Sequence, residues 1–237
     1  MHTLSIIIPV FNESKTIILL LDKIKAVKLN ADLSKDIIVI DDGSTDNSHD
    51  LILGYIQENK SLNIRLIAHK INKGKGSAIH SGINLAVGEY LIIQDADLEY
   101  DPEEYNILLN PILKGQADVV YGSRFMGGNP HRILFFWHSI GNKFLTFLSN
   151  IFTNLNLSDM ESCYKVFDSS LIKNIKLKEK RFGFEPEITL KLSKMKNVQI
   201  SEVPISYIAR NKVEGKKINS KDGLRVIYCI LKYWISN

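Results

Sequence analysis

The N-terminal half of the chain alternates short apolar runs with longer amphipathic segments. The apolar runs are rich in Val and Ile and end in turn residues, which is typical of β-strands; they are LSIIIPV, DIIVIDD, IRLIAHK, YLIIQDA and ADVVYGS. The segments between them have helical periodicity and cover Glu13–Leu29, Thr45–Asn59, Lys73–Val87 and Pro102–Lys114. The alternation predicts an α/β fold with βαβ units, a mostly parallel sheet and helices on both faces.

The C-terminal half has a different pattern. After the loop GGNP, an apolar stripe at helical spacing predicts a helix with one core-facing side; the stripe comprises Ile133, Phe136, Ile140, Phe144, Phe147 and Ile151. Leu134, Phe135, Trp137 and Leu145 lie off that stripe. The excess fits either an interfacial helix that lies on a bilayer and guides an isoprenoid chain, or a helix buried on several sides.

Three further segments complete the pattern. RFGFEPEITLKLSKM predicts a loop that leads into a helix, NVQISEVPISYIAR an edge hairpin interrupted by Pro204, and KDGLRVIYCILKYWI an amphipathic C-terminal helix. Because the sequence contains no repeat, low-complexity tract or linker, we expect one domain over residues 1–237.

Composition limits the possible partners. The 237 residues are 45% hydrophobic with a net charge of +4, and Lys and Arg concentrate in residues 173–196 and 210–225. This distribution suits a phosphate or an anionic membrane surface, or else a solvated charged face. The basic clusters are not interleaved with a stacking platform, so nucleic-acid binding is not expected.

Cysteine usage and hydropathy bear on location. Cys163 and Cys229 lie far apart without metal-type spacing, which favours reduced thiols in a cytoplasmic protein. No secretory leader opens the chain, and no apolar stretch approaches the roughly 18 residues that span a bilayer. We therefore expect a cytoplasmic protein whose membrane contact is peripheral, on the cytoplasmic face.

Polar side chains follow four of the predicted strands. The strand ends read PVFNES, DDGSTD, QDAD and GSR. Each alone could be a turn with a helix cap, but the carboxyl ends of parallel strands meet at one edge, where ligands bind in such sheets. The sequence therefore predicts a ligand site at this edge.

Carboxylates dominate that edge. Asp95 and Asp97 would share one face of an extended strand, and a divalent cation would relieve their repulsion. Mg²⁺ takes such oxygen ligands together with substrate phosphates, and Glu99 could add another; a solvated acidic turn is the alternative. Asp41 and Asp42 could accept hydrogen bonds from a nucleobase and a ribose.

NKGKGSA provides flexible backbone and Lys75 beside a helix start, which favours an anion. Ile79 stands where the dinucleotide fingerprint requires Gly, and no Lys-Ser/Thr pair completes a P-loop. Hydride transfer and NTP hydrolysis lose support accordingly.

Eight motifs in order resemble a family 2 glycosyltransferase of GT-A fold, close to the dolichyl- or polyprenyl-phosphate sugar synthases. They are IIPVFNES, IDDGSTDNS, NKGKGSA, QDADLEYDPEE, YGSRF, DMESCYKVF, RFGFEPEI and VPISYIAR followed by GKKI and DGLRV. The resemblance implies that residues 1–121 bind a nucleotide sugar, that 122–210 bind the acceptor, and that 211–237 form a basic loop and a C-terminal helix.

The resemblance also implies individual roles. Asp95, Asp97 and Glu99 would hold Mg²⁺ or Mn²⁺ against the donor diphosphate, although relatives often carry Gln at the third position. Phe11 stands where Tyr is frequent, so a hydroxyl contact is lost there. The residues implied to bind the nucleotide sugar are Pro9, Phe11, Glu13, Asp41, Asp42, Lys75, Asp95 and Ala96.

On the acceptor side the resemblance places Arg124 near the acceptor phosphate, and Arg210, Lys216 and Lys217 on a loop that closes over diphosphate and acceptor. Asp97, Arg124 and Asp159 are the implied catalytic residues. Attack by a polyprenyl phosphate at the anomeric carbon would invert the configuration of that carbon, and it would need little help from a general base. A saccharide hydroxyl would need one, for which Asp159 or Glu185 are candidates.

Two other functions fit less well. Sugar-nucleotide synthesis would call for a Gly-rich phosphate loop with Arg and Lys after the first strand, where this chain has PVFNES. A non-catalytic sugar-nucleotide-binding module would be favoured if the acidic motif or Arg124 were missing. The sequence does not indicate the sugar, the nucleotide or the oligomeric state.

Overall fold

The computed structural model describes residues 2–127, 136–210 and 220–236. The strands in this part of the chain are β1 Thr3–Val10, β2 Ser34–Asp41, β3 Ile64–Ala68, β4 Tyr90–Ile93, β5 Val119–Ser123, β6 Lys165–Asp168 and β7 Ile200–Pro204. The α-helices are α1 Ile17–Ala26, α2 Ser48–Glu58, α3 Lys75–Leu85, α4 Tyr105–Leu113, α5 Phe136–Thr153, α6 Ser169–Lys173, α7 Phe184–Ser193 and α8 Ser220–Ile235, and a 3₁₀ turn spans Pro102–Glu104.

These strands form one sheet in the order β3-β2-β1-β4-β6-β5-β7. β1, β2, β3 and β4 are parallel, β6 runs antiparallel between β4 and β5, and β7 pairs parallel with β5. The predicted α/β class with a mostly parallel sheet is therefore confirmed, as are the five N-terminal strands.

Two apolar cores cover the two faces of the sheet. One joins β1 and β2 to α1, α2 and α4, and the other joins the sheet to α3, α7 and α8. Strand β1 is almost fully buried because it contributes Ile6 and Ile8 to the first core and Ile7 to the second. This two-sided burial explains why its sequence is a continuous apolar run.

The edge hairpin predicted around Pro204 is wrong. β7 is a single strand at the sheet edge, pairs with β5 alone and ends at Pro204, whose nitrogen has no hydrogen to donate. After it, Ile205 N donates to Ser123 O at 3.1 Å and leads the chain toward the acidic loop.

The orientation predicted for α5 is also wrong. Phe136, Ile140, Phe144, Phe147 and Ile151 are all exposed, whereas Leu145, Thr146 and Ser149 face the core. Apolar side chains thus lie on the outward side of this helix. Ile133, Leu134 and Phe135 lie outside the described residues, so the start of the stripe is not compared.

Among the described residues, no helix combines the length and apolar character needed to cross a membrane.

Candidate functional site: an acidic cluster at the carboxyl edge of the sheet

The loops after β1, β2 and β4 lie side by side at the carboxyl edge of the sheet. Asn12, in the left-handed region at φ +53°, connects the first two: its Oδ1 accepts from Thr45 N at 2.8 Å and its N donates to Ser44 Oγ at 3.0 Å. Glu13 N donates to Ser48 Oγ at the start of α2. Sequence analysis missed Asn12, although Asn tolerates this backbone conformation better than most residues.

Asp41 and Asp42 are both buried at the end of β2, and their carboxylates bind neighbouring loops. Asp41 Oδ1 accepts from Ser44 N, and its Oδ2 lies 3.0 Å from His49 Nδ1. Asp42 lies 2.7 Å from His69 Nδ1 and accepts from the backbone N–H groups of residues 73 and 74. The predicted nucleobase and ribose contacts stay predictions, and Asp42 in particular already fastens the loop after β3.

Gly43 allows this arrangement. It has φ +72°, and a Cβ at this position would lie 2.7 Å from the backbone of Ile71 and Asn72. Both constraints require glycine, so the DDG turn is fixed by how closely the β3–α3 loop approaches it.

Asp95 forms an ion pair with Lys75. Nζ lies 2.6 Å from Asp95 Oδ1 and donates to Cys163 Sγ at 2.7 Å, so one ammonium group joins the loop after β4 to the segment that leads into β6. Burial opposes the charge on Lys75, but Asp95, Cys163 and Glu185 together outweigh it, and the pKa of Lys75 lies well above its ordinary value. Ala96, the small residue between the two aspartates, is buried.

Asp97 and Glu13 form a second ion-paired group with Arg210. The guanidinium of Arg210 lies 3.0 Å from Asp97 Oδ2 and contacts both oxygens of Glu13 at 3.0 and 3.1 Å. Burial, Asp95 and Glu99 raise the pKa of Asp97 to about 7 despite the arginine. The negative charge of the carboxylates in the cluster therefore exceeds the positive charge that Lys75 and Arg210 contribute.

Glu99 fastens the segment after β7 to this cluster. Oε2 accepts from Tyr207 Oη at 2.8 Å and Oε1 from Arg210 N at 2.7 Å. Leu98 has φ +62°, which lets Glu99 N donate back to Asp97 Oδ1 at 3.2 Å. Such a strained non-glycine residue persists where surrounding contacts hold it, often beside a functional site. That Glu99 is a third metal ligand stays a prediction.

Arg124 and Asp159 form a buried bidentate pair. Nε and Nη2 of Arg124 each donate to an Asp159 oxygen at 2.7 Å, and Arg124 N donates to Oδ2 at 3.0 Å. The guanidinium also lies 5.1 Å from the centre of the Tyr207 ring. Because three donors hold Asp159, the geometry favours a positioning role for it over that of a free base.

The other candidate base, Glu185, is ion-paired with the fully buried Lys165. Sequence analysis missed Glu161, whose Oε1 is buried and has no hydrogen-bond partner among the described residues. Burial, and then Glu185, raise the pKa of Glu161 to about 8. The only signal for Glu161 in the sequence was its position in the DMESC motif, two residues after the candidate base Asp159.

Pro9 is partly exposed near the end of β1, opposite Ile40 in the register, and Phe11 follows it, also partly exposed. Both lie at the predicted edge. Lys216 and Lys217 lie outside the described residues.

Among the described residues, no three His, Cys, Asp or Glu side chains are arranged to hold a metal ion by themselves. Asp95 and Asp97 nevertheless fit a cation that takes most of its ligands from elsewhere. They are hard oxygen donors in a cluster with excess negative charge, and Mg²⁺ commonly uses one or two carboxylates plus substrate phosphates.

Comparison with known families shows to which family the chain belongs. Residues 5–176 match the model of glycosyl transferase family 2. The chain belongs to this family. The prediction of a glycosyltransferase from the motifs is therefore confirmed. The acidic cluster lies at the carboxyl edge of the sheet, where ligands bind in open α/β sheets.

Named relatives narrow the family further. A dolichyl-phosphate beta-glucosyltransferase of Dictyostelium discoideum is 31% identical over 233 residues, which cover 91% of this chain and 68% of the relative. A dodecaprenyl-phosphate galacturonate synthase of Rhizobium johnstonii is 25% identical over 207 residues, covering 87% and 59%. This chain thus resembles glycosyltransferases named for polyprenyl phosphates.

A solved structure supports the fold. Glucosyl-3-phosphoglycerate synthase from Mycobacterium tuberculosis, in complex with Mn²⁺, UDP and phosphoglyceric acid, matches with a TM-score of 0.75 over 99% of this chain and 79% of its own. The identity is 18%, so the likeness supports the GT-A architecture alone.

Proposed function

We propose that this family 2 glycosyltransferase moves a sugar from a nucleoside diphosphate sugar to a polyprenyl or dolichyl phosphate, with Mg²⁺ or Mn²⁺ at Asp95 and Asp97. The observation that carries the donor half is the acidic cluster at the sheet edge, in which Lys75 and Arg210 pair with Asp95 and Asp97. A donor diphosphate with its cation brings opposite charges to both halves of this cluster.

The cation would supply a positive charge that stabilises the leaving diphosphate. Lys75 and Arg210 would add hydrogen bonds to the same phosphate oxygens, with the paired donors of the guanidinium suited to that task. To do so, Lys75 would have to leave Asp95, and Arg210 would have to leave Asp97. The arriving cation would then neutralise the two freed carboxylates.

The acceptor half rests on the relatives named for dolichyl and dodecaprenyl phosphates. A phosphate monoester is already anionic near neutral pH, so its oxygen can attack the anomeric carbon without a strong base. The carbon–oxygen bond to the nucleoside diphosphate breaks as the new bond forms on the opposite side, which inverts the configuration. Asp159 would act here by holding the Arg124 guanidinium toward the acceptor phosphate.

A saccharide hydroxyl is the second candidate acceptor, and Glu161 favours it. The hydroxyl would need a base, and Asp159 and Glu185 are both ion-paired. Glu161 has an oxygen with no hydrogen-bond partner in the part of the chain that the structure describes, and its pKa is raised to about 8, close to the pH at which a general base would work.

The test is nucleoside diphosphate release from a panel of UDP- and GDP-sugars in the presence of Mg²⁺ or Mn²⁺, with and without a short-chain polyprenyl phosphate. We expect release that requires both the lipid phosphate and the cation. Release that requires a saccharide and ignores the lipid would overturn the acceptor assignment. Absence of release from every donor with either acceptor would overturn the enzymatic proposal itself.

A further inference from the structure

Residues 159–163, which we call the bridging segment, join the two halves of the proposed site. At one end Asp159 holds Arg124, whose Nη2 donates to Asp159 Oδ1 at 2.7 Å. At the other end Cys163 Sγ accepts from Lys75 Nζ at 2.7 Å. A sugar that passes from the donor diphosphate to the acceptor phosphate lies between these two groups, and therefore beside the bridging segment.

Glu161 is the middle residue of the bridging segment, and its carboxyl group lacks a partner. The residue is partly exposed and so borders open space, yet Oε1 is shielded from solvent and has no hydrogen-bond partner among the described residues. Buried polar atoms are nearly always paired in native structures, so this unpaired oxygen points to a ligand. Rotation about the last side-chain torsion exchanges the two oxygens easily, so a group on the open side can reach either one.

The charged groups around Glu161 neutralise one another. Glu185 is ion-paired with Lys165, and Asp159 is ion-paired with Arg124. Burial, and then Glu185, raise the pKa of Glu161 to about 8, so its carboxyl group is mostly protonated at neutral pH. A protonated carboxyl group can both donate and accept a hydrogen bond, as a hydroxyl group can.

The backbone is fixed on both sides of Glu161. Lys165 Nζ donates to Met160 O at 3.2 Å and also to Ser162 O, and Met160 N donates to Thr146 Oγ1 at 3.1 Å. A side chain on a backbone held in this way keeps a constant position, which recognition of a single hydroxyl group requires.

We propose that Glu161 binds a hydroxyl group of the transferred sugar and that the donor carries an uncharged hexose, not a sugar acid. The carboxylate of a sugar acid would lie beside Glu161 and Glu185 without a cation of its own. Lys165 and Arg124 are both paired already, and an unpaired charge in such a place is strongly destabilising. This deepens the proposed function and rests on it, because the donor and acceptor phosphates place the sugar.

A general base is the other role open to Glu161, and one substitution separates the two roles. A base must take a proton from the acceptor, which the amide of Gln cannot do. A contact with a hydroxyl group needs only hydrogen bonding, which that amide provides. With a phosphate monoester as acceptor no base is required, so Glu161 is available to the sugar.

The first measurement is calorimetric binding, with Mn²⁺, of UDP, GDP and their hexose derivatives to wild type, Glu161→Ala and the exposed control Glu58→Ala. We expect Glu161→Ala to weaken binding of the preferred hexose donor by about fivefold, while its affinity for the nucleoside diphosphate stays within about twofold of wild type. The unchanged nucleotide affinity also shows that the variant is folded. The control should bind both ligands like wild type.

The second measurement is kcat/KM with a polyprenyl phosphate and matched donors: UDP-glucose and UDP-glucuronate, UDP-galactose and UDP-galacturonate, GDP-mannose and GDP-mannuronate. We expect wild type to use the preferred hexose at least about tenfold better than its acid. Among deoxy forms of that donor, one should lose activity in wild type and lose nothing further in Glu161→Ala. Glu161→Gln should keep kcat within about threefold of wild type, because its amide still binds the hydroxyl group.

Better use of a sugar acid than of its hexose would overturn the assignment of an uncharged sugar. Full additive losses for every deoxy donor in Glu161→Ala would remove Glu161 from the sugar. Loss of kcat in Glu161→Gln with an unchanged donor KM would make Glu161 a general base instead. Failure of wild type to bind any nucleotide would overturn the proposed function as well, whereas normal donor binding that is insensitive to Glu161→Ala would overturn this inference alone.

Discussion

At the scale of single residues, Arg210 has two incompatible sets of partners. Its guanidinium now bridges Glu13 and Asp97, whereas the proposed function requires it to contact a diphosphate. A divalent ion at Asp97 would compete with the same guanidinium for the same oxygens. Arg210 therefore acts as an internal cation that a bound metal would displace.

Replacement of Arg210 by Gln should tighten Mn²⁺ binding in the absence of donor by about fivefold, because roughly 1 kcal/mol of competing charged hydrogen bonds is lost. The measurement is an electron paramagnetic resonance titration of free Mn²⁺, made at a pH above the titration of Asp97. Lys28→Gln, on an exposed part of the chain, is the charge-matched control. An unchanged affinity in Arg210→Gln would remove Arg210 from the metal site.

Substitution of Arg124 tests the proposed contact with the acceptor phosphate. Its fork holds both oxygens of Asp159, and lysine can offer only a single point of contact. In Arg124→Lys we expect the acceptor KM to rise by about tenfold while the donor KM stays within about twofold, as measured by steady-state kinetics with each substrate varied in turn. An equal loss for donor and acceptor would indicate that Arg124 serves the nucleotide instead.

At the scale of elements, Glu179 anchors α8 to the loop before α7. It accepts from Arg225, Lys232 and Tyr233, and these bonds outweigh the cost of burial and lower the pKa of Glu179 to about 2. Since the folded-state pKa lies below the ordinary value of 4.5, this stabilisation is complete above that pH and disappears as the pH falls toward 2.

Glu179→Gln should therefore lower the free energy of unfolding at neutral pH by roughly 1 to 2 kcal/mol, a figure reduced for solvent around Arg225 and Lys232. Urea denaturation over a pH series measures it, with Glu58→Gln at the exposed end of α2 as the control. The difference from wild type should narrow below about pH 4. A difference at pH 2.5 as large as the difference at neutral pH would contradict this account of the α8 anchor.

The elements also show where the sequence was informative. β1 and β2 were predictable because apolar runs buried on both faces leave a clear pattern. β6 was missed because it has four residues, one of which is the buried Lys165, whose charge is compensated by Glu185 from a distant helix. The orientation of α5 was reversed because helical spacing identifies a stripe but not the side on which the core lies.

At the scale of the whole molecule, motif order predicted the family, and the polar strand ends predicted the edge of the sheet at which the acidic cluster lies. It could not predict how the site is held together, since the contacts join residues far apart in sequence. Arg210 reaches Glu13 across 197 positions, and Lys75 reaches Cys163 across 88. Asn12, His49, His69 and Glu161 acquire importance only through such neighbours, so no local pattern singles them out.

The central claim is that donor, cation and the Asp95–Asp97 pair bind as one unit. Isothermal titration calorimetry of UDP-glucose and GDP-mannose tests it, with Mn²⁺ or with excess chelator, in wild type, Asp97→Asn and the same-loop control Asp101→Asn. We predict that chelator or Asp97→Asn weakens binding of the preferred donor by at least about tenfold, or about 1.4 kcal/mol, while Asp101→Asn binds like wild type. Equal affinity with and without the cation in wild type would contradict the claim.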